Sequence, residues 1–598
     1  MNIFLSDPNN KAAPSSTHLM AVAGGHREAD LYIHNCRVLN IYSGEILADV
    51  GVAIAGGRIA YVGTSRGMVG AGTEMIDAED GLLVPGYVEP HSHFDLIVSL
   101  GRMAEAVLPL GTTTVVNDTL AMVGRFGKTG LDYLQSAASS LPLHVFFMVS
   151  RTSLAPELEE LGYPTGASLS AEELADALGD DQVLGTVESL PWRKLLAGDP
   201  NLMASMELLL RSGPGTRGHF PGARADQIQA LAAAGFTDCH EALSAEEALD
   251  RLRAGLYVIL RHGPARPDLP ALARLVHREE VDRSRLMFTT DWVPQAALVQ
   301  TGHLNHVIAT ALELGISPID AYRMATLNPA RYLGIEDDVG AIAPRRYADI
   351  LCLATLQEPL PRWVMASGRV VARNGLTVDG WDGERAEPKL PPYQPPVQET
   401  HVTDFRMATN RRGNVIVPTV ELVDKTVTRR RDLHMAVRDG VVTPETRREV
   451  ILKMAMPKPE GGFAVGFLVG MGAHLGGFST SVASDPYHTL VIGSNDHDMA
   501  TAYNRMVGNG GGIVAVQQGQ IAAELPLPMG GFISTAPVPD IAADIELLNR
   551  WAQELGCPWD DIFLIQRYFT YIGVPFFRMP PWGIYDVKER AFLPPVLD

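Results

Sequence analysis

Two histidines separated by one serine, His91 and His93, end an apolar stretch with a Pro-Gly, LLVPGYVEPHSHFD over residues 82–95. In an extended strand, residues i and i+2 point to the same side, so both imidazoles can face one ion. Four further residues, Glu188, His219, His240 and Asp291, each fall at the end of a strand-like segment. Imidazole and carboxylate donors suit zinc, iron or manganese, and a catalytic site of this kind keeps a position open for water. Together these four imidazoles and two carboxylates suffice for two divalent ions, with Glu188 central in the strand order and placed to bridge them. Such a pair lowers the pKa of a shared water towards neutrality, so the expected chemistry is hydrolysis.

Asp291 can both touch a metal and carry the proton of the attacking water to a leaving nitrogen. Glu241 follows His240 and either orients an imidazole or donates a proton. Asp118, Arg261 and His262 are weaker candidates, and Trp292 either stacks on a planar ring or closes the mouth of the site. Each residue has a structural alternative: Glu188 as a salt-bridged strand end, His219 as a loop histidine beside Pro221 and Gly222, Asp291 as a cap. Their shared position at strand ends is what argues for a site.

The elements that must place them alternate. Apolar segments end near His93, Asp118, Ser150, Glu188, His219, His240, His262 and Asp291, with helical segments between. SAEELADAL opens with the capping pattern Ser170-x-x-Glu173, and SAEEALDRLRAG opens at Ser244 and stops on Gly255. Eight βα units predict an α/β fold, a (β/α)8 TIM-like barrel over residues 85–335 with its catalytic groups at the C-terminal strand ends. Residues 29–84 and 336–385 read as two parts of one small β-domain, and Ala55-Gly56-Gly57-Arg58 marks a hairpin. Residues 1–28 read as a loose tail and 386–400, with PKLPPYQPP, as a proline-rich linker. Residues 401–598 read as an additional α+β domain with Gly-rich turns and an amphipathic helix, AADIELLNRWAQELG. The glycine run 508–512 has neither G-x-G-x-x-G after a strand nor a P-loop lysine, so it reads as a turn.

At 598 residues the chain exceeds one hydrophobic core. Its formal net charge of −20 argues against a general binder of nucleic acid or anionic membrane. The main basic run, Arg429 to Arg431, reads as a solvated face. The four cysteines lack CxxC spacing, which fits a reducing cytoplasm, and neither a leader nor a membrane span is evident.

The runs VPGYVEPHSH, AVLPLGTTTVVND, GHFPG, DCHEALSAEEALDRLRAGLYVILRHG, MATLNPARYLG and GAIAPRRYADI resemble the amidohydrolase superfamily, and within it the bacterial adenine deaminases. VGFLVGMG, FSTSVASDPYHTLVIGSNDHDMATAYNRMVGNGGGIV and AELPLPMGGF resemble the extra C-terminal domain of those deaminases. The resemblance implies a binuclear iron or manganese centre, with zinc possible, and release of ammonia from adenine or a related small heterocycle. It assigns metal ligation to His91, His93, Glu188, His219, His240 and Asp291, and it implies a homo-oligomer, a dimer. Hydrolysis of a cyclic amide or another ring, or a non-catalytic barrel, are the alternatives. The chain departs from the family pattern at Phe94, Asp95, Leu96 and Ile97, at Thr119 to Ala121 after Asp118, at Trp292, and at Ser484 to Tyr487. Phe94, Asp95, Asp118, Arg261 and Trp292 are therefore the residues expected around the substrate.

Overall fold

The computed structural model describes residues 14–149, 156–163, 166–186, 192–200, 202–204, 206–207, 216–264, 266–378, 388–444, 449–484, 488–573 and 576–597. Glu188, Ser150 and residues 485–487 lie outside them.

Seven short parallel strands form the wall of the central domain: β1 Tyr87–Ser92, β2 Thr112–Asp118, β3 His144–Val149, β4 Val183–Thr186, β5 Asp238–Cys239, β6 Tyr257–Arg261 and β7 Leu286–Thr289. They make two sheets, β1-β2-β3-β4 and β5-β6-β7. Single parallel bridges join the sheets: Thr186 to Thr216 and Thr216 to Phe236 on one side, Ser92 to Asp291 on the other. Thr216 thus stands where an eighth strand belongs, and the ring is a (β/α)8 barrel. These strands are buried on both faces, as the continuous apolar runs require. Val116, Phe146 and Met148 pack with Val88, Leu184, Ala330 and Ile335, whereas the alternate residues Val115, Val145 and Phe147 join the larger core beneath the helices. Ser170 caps helix Ala171–Ala177 in a capping box with Glu173, and Ser244 caps helix Ala245–Arg253. No helix among the described residues is long and apolar enough to cross a membrane.

A separate eight-stranded sheet draws on both flanks of the barrel. Strand Glu74–Pro85 pairs in parallel with Leu31–Asn40 and antiparallel with Ile350–Leu353, where Cys352 faces Leu83. The hairpin at residues 55–58 turns on Gly56 and Gly57, at φ of 54° and 75°. Residues 16–23, expected within a loose tail, are instead a helix, because Leu19 and Val22 bury against the Tyr32 and Ala53 face of this sheet. All four cysteines are free and buried.

The C-terminal domain is built on a nine-stranded sheet. Val514 and Val516 face Met499, Tyr503 and Met506 of helix Asp496–Gly508, while Ile513 and Ala515 face the side shared with Ile541, Ile545 and Leu548 of helix Val538–Glu554. The arginine run lies on strand Thr428–Arg438 and is matched by acids, Arg429 with Glu421, Arg430 with Asp432 and Arg431 with Glu449. The proline-rich segment is irregular, but its Tyr393 is buried and hydrogen-bonded to Thr489. This domain is stitched to the barrel beside the histidines: Ile533 and Ser534 pair in parallel with Ile97 and Val98, and Arg102 Nε donates to the Thr535 carbonyl at 2.7 Å.

Candidate active site

His91 sits at the end of β1, and His93 follows just beyond it. Asp291 lies two residues past β7, held at a φ of 60° that a side chain seldom adopts. Its amide donates to Thr289 Oγ1 at 2.8 Å, and that hydroxyl lies 2.7 Å from the His91 carbonyl. Asp291 Oδ1 consequently stands 3.5 Å from His91 Nε2 and 3.2 Å from His93 Nε2.

A second group forms opposite. His240 and Glu241 follow β5, and His219 follows the Thr216 bridge. Glu241 Oε1 is 3.4 Å from His240 Nε2 and 3.5 Å from His219 Nδ1. In each trio the donor atoms lie within 4.8 Å of one another, close enough to converge on one cation. The His91 and His240 rings stack with centroids 4.3 Å apart, so the two trios are neighbours.

Burial pushes the His91 imidazole down to about 4 and also lowers His219 and His240, which favours the neutral, ligating form. For Asp291, burial acts to raise the carboxyl, but hydrogen bonds from His91 and His93 outweigh it and hold the group well below the usual range. Burial likewise opposes ionisation of Glu241, and the hydrogen bond from His240, with the neighbouring His219 imidazole and the Arg261 guanidinium, prevails. These donors and charge states fit divalent cations.

Arg261, at the end of β6, is buried and donates to both Glu241 and Asp291, while His262 packs near His306 with ring centroids 5.5 Å apart. Trp292 lines a cavity of about 250 Å3 that opens from His93 and Asp291 and is walled by Leu96, Leu120 and Ala121. Three further residues expected near the substrate have these contacts, and Asp118 lies within electrostatic reach of His91, His93 and Asp291. The Phe94 ring packs edge-on to His303, with centroids 5.6 Å apart. Asp95 Oδ2 accepts from the Met122 amide at 3.1 Å, and Asp118 Oδ1 from the Leu120 amide at 2.6 Å, so both hold the start of helix Leu120–Phe126.

Other residues escaped the sequence reading. Glu89 is fully buried and accepts from the Thr290 amide at 2.9 Å. Its alternation with His91 and His93 was a usable signal. Leu564, Arg567, Tyr568 and Tyr571, which complete the cavity from the C-terminal domain, offered none, being so distant in sequence.

The amidohydrolase family profile matches residues 82–377, and that of the adenine deaminase C-terminal domain matches residues 425–591. An adenine deaminase of Moorella thermoacetica is 36% identical over 597 residues, spanning 96% of this chain and 97% of the relative. One of Cenarchaeum symbiosum is 31% identical, spanning 97% and 95%. The adenine deaminase 3 of Rhizobium meliloti is also 31% identical, spanning 97% and 98%. The chain belongs to the adenine deaminase family. As a member of that family it is a hydrolase of carbon–nitrogen bonds other than peptide bonds and uses divalent metal. Within the adenine deaminase framework, the first trio lies inside the amidohydrolase match and the wall opposite it inside the C-terminal match.

Proposed function

We propose that this chain hydrolyses the exocyclic amine of adenine to give hypoxanthine and ammonia. The reading is carried by the two adjacent trios, His91, His93 and Asp291 beside His219, His240 and Glu241, at the mouth of a barrel with a ring-sized cavity. These residues would hold two divalent ions, manganese or iron, and Glu188 is proposed as the bridging carboxylate. When bound, the ions supply Lewis-acid activation of a water near neutral pH.

The side chains supply the rest. Asp291 Oδ1 takes a proton from the attacking water and returns it to the departing amine, while Oδ2 is held by Arg261 at 2.8 Å. One hydrogen of the water ends on the ammonia, the other on the ring nitrogen next to the new carbonyl. Glu241 keeps its carboxylate towards His219 and His240 and is the second candidate for proton transfer. Leu96, Leu120 and Trp292 keep bulk water off the ring. Burial of all four cysteines as thiols suits a cytoplasmic setting.

The apolar wall at Leu96, Leu120 and Ala121 favours one second reading, deamination or ring opening of another planar heterocycle. Manganese- or iron-loaded protein assayed for ammonia against adenine and a purine, pyrimidine and pterin panel separates the two. A kcat/KM for adenine of roughly 10⁴ M⁻¹s⁻¹ or more, unmatched by the other rings, is expected. A better ring in the panel would replace adenine as the substrate, and no ammonia from any of them would refute deamination.

A further inference from the structure

The cavity above His93 and Asp291 is only half built by the barrel. Its far wall is Ser484 and one face of helix Ile562–Tyr568 with the turn after it, where Leu564, Arg567, Tyr568 and Tyr571 recur at helical spacing. That helix is firmly set. Asp561 Oδ1 caps it through the Leu564 amide at 2.8 Å, Asn549 Oδ1 takes the Phe563 amide at 3.2 Å, and Ile562, Phe563 and Ile565 are buried.

Arg567 is the one basic group in this wall. Its Nε donates to Ser484 Oγ at 3.1 Å, and its guanidinium carbon lies 5.5 Å from the Trp292 ring centroid. Both partners are neutral, so its polar contacts among the described residues orient the guanidinium without neutralising it, and they do not occupy its two terminal nitrogens. A partly buried, oriented guanidinium fork lining the cavity is a donor pair for in-plane acceptors. The groups that act on the amine, His93 and Asp291, line the same cavity from the barrel side.

We infer that Arg567 reads the acceptor edge of the substrate ring remote from the amine, so that the C-terminal domain is part of the specificity pocket. The inference rests on the proposed deamination and narrows its substrate class to planar heterocycles with ring-nitrogen acceptors on that edge. Trp292 serves as the platform that fixes the guanidinium.

The test compares wild type with Arg567→Gln and Arg567→Lys, all metal-loaded. Turnover is measured by ammonia release and binding by calorimetry, using adenine, 3-deazaadenine and 7-deazaadenine. Thermal midpoint and bound metal are checked first. Arg567→Gln is expected to raise KM and Kd for adenine roughly 10- to 100-fold with a smaller change in kcat, the range for a charged hydrogen bond. Arg567→Lys should recover part of that loss. 3-Deazaadenine, which lacks an acceptor on the remote edge, should suffer a similar loss in wild type and little further loss in Arg567→Gln, whereas 7-deazaadenine, whose missing nitrogen flanks the amine, should keep the Arg567 dependence of adenine. Adenine KM and Kd within twofold of wild type in Arg567→Gln would overturn the inference, as would deaza penalties equal in both proteins. If Arg567→Gln does not fold, Arg567→Lys decides by the same deaza comparison. Weakened ring binding without any ammonia from wild type would refute deamination and leave Arg567 supported. Normal ammonia release with an indifferent Arg567 would do the reverse, and no binding of any ring would overturn both.

Discussion

Nη1 of Arg261 lies 2.8 Å from Asp291 Oδ2 and 2.7 Å from Glu241 Oε1, so a single guanidinium nitrogen joins the carboxylates of the two donor trios. Its Nε is engaged by Asp268 at 3.2 Å. Burial keeps the guanidinium from water, and with Oδ2 of Asp291 claimed, Oδ1 is the oxygen left facing His91 and His93. Removing one partner of a buried charge pair is costly because the remaining charges stay desolvated. Arg261→Gln is therefore expected to destabilise chelator-treated protein by about 3–5 kcal/mol, and metal-loaded protein by less, since cations would compensate the acids. Denaturant titrations with and without chelator check this. Equal losses in both states would mean that the guanidinium does not share its task with metal.

Replacing His91 and His93 together by Ala removes two of the three donors of the first trio while leaving the core of β1 in place. Metal content should fall and ammonia release should stop, with the circular dichroism of wild type retained. Full activity in a metal-poor double variant would rule out the proposed centre.

Asp291→Asn keeps the size of the side chain and its seat on Thr289 but removes the base. Turnover is expected to drop by roughly 10²–10⁴, with adenine binding little changed. A near-normal kcat would move the proton transfer to Glu241, to be tried next as Glu241→Gln.

The glycine run after helix Asp496–Gly508 is a close-packing device. Gly510, Gly511 and Gly512 have φ of 75°, 112° and 124°, and the Gly512 amide donates to Ser481 Oγ at 2.8 Å. A Cβ on Gly511 would fall on the Cα of Gly531, which is backbone and cannot swing aside. Gly511→Ala should cost at least about 2 kcal/mol from strain and overpacking combined. A midpoint unchanged in denaturant would show that the two glycine segments can separate without loss.

The order of strands and helices was readable because each segment carries its own signal: apolar runs for strands buried on both faces, Ser170 and Ser244 for helix starts. The histidines stood out for the same local reason, an i, i+2 pair at a strand end. What no local pattern reports is side-chain direction past the strand ends. Phe94 and Asp95 neighbour His93 in sequence, yet one packs on His303 and the other holds the Met122 amide, because the chain turns sharply towards Ile97, itself at a φ of 69°. The helix at residues 16–23 was missed since its apolar face is only two residues wide, Leu19 and Val22. Arg567 was invisible because no local pattern reports a contact with Trp292 made across two domains.

The sheet shared by the two flanks of the barrel bears on how the chain comes to be made. Strand Glu74–Pro85 leaves the ribosome early, but its antiparallel neighbour Ile350–Leu353 follows only after nearly all of the barrel. Until then its outer edge is an open row of amides and carbonyls, the kind of surface that invites wrong partners. Folding of the barrel first shortens the span that must be closed, which lessens the entropy lost when Cys352 comes to face Leu83. The small sheet is therefore a clasp that can be fastened only after the barrel strands have been made, and nascent chains stalled before residue 350 are expected to carry that open edge.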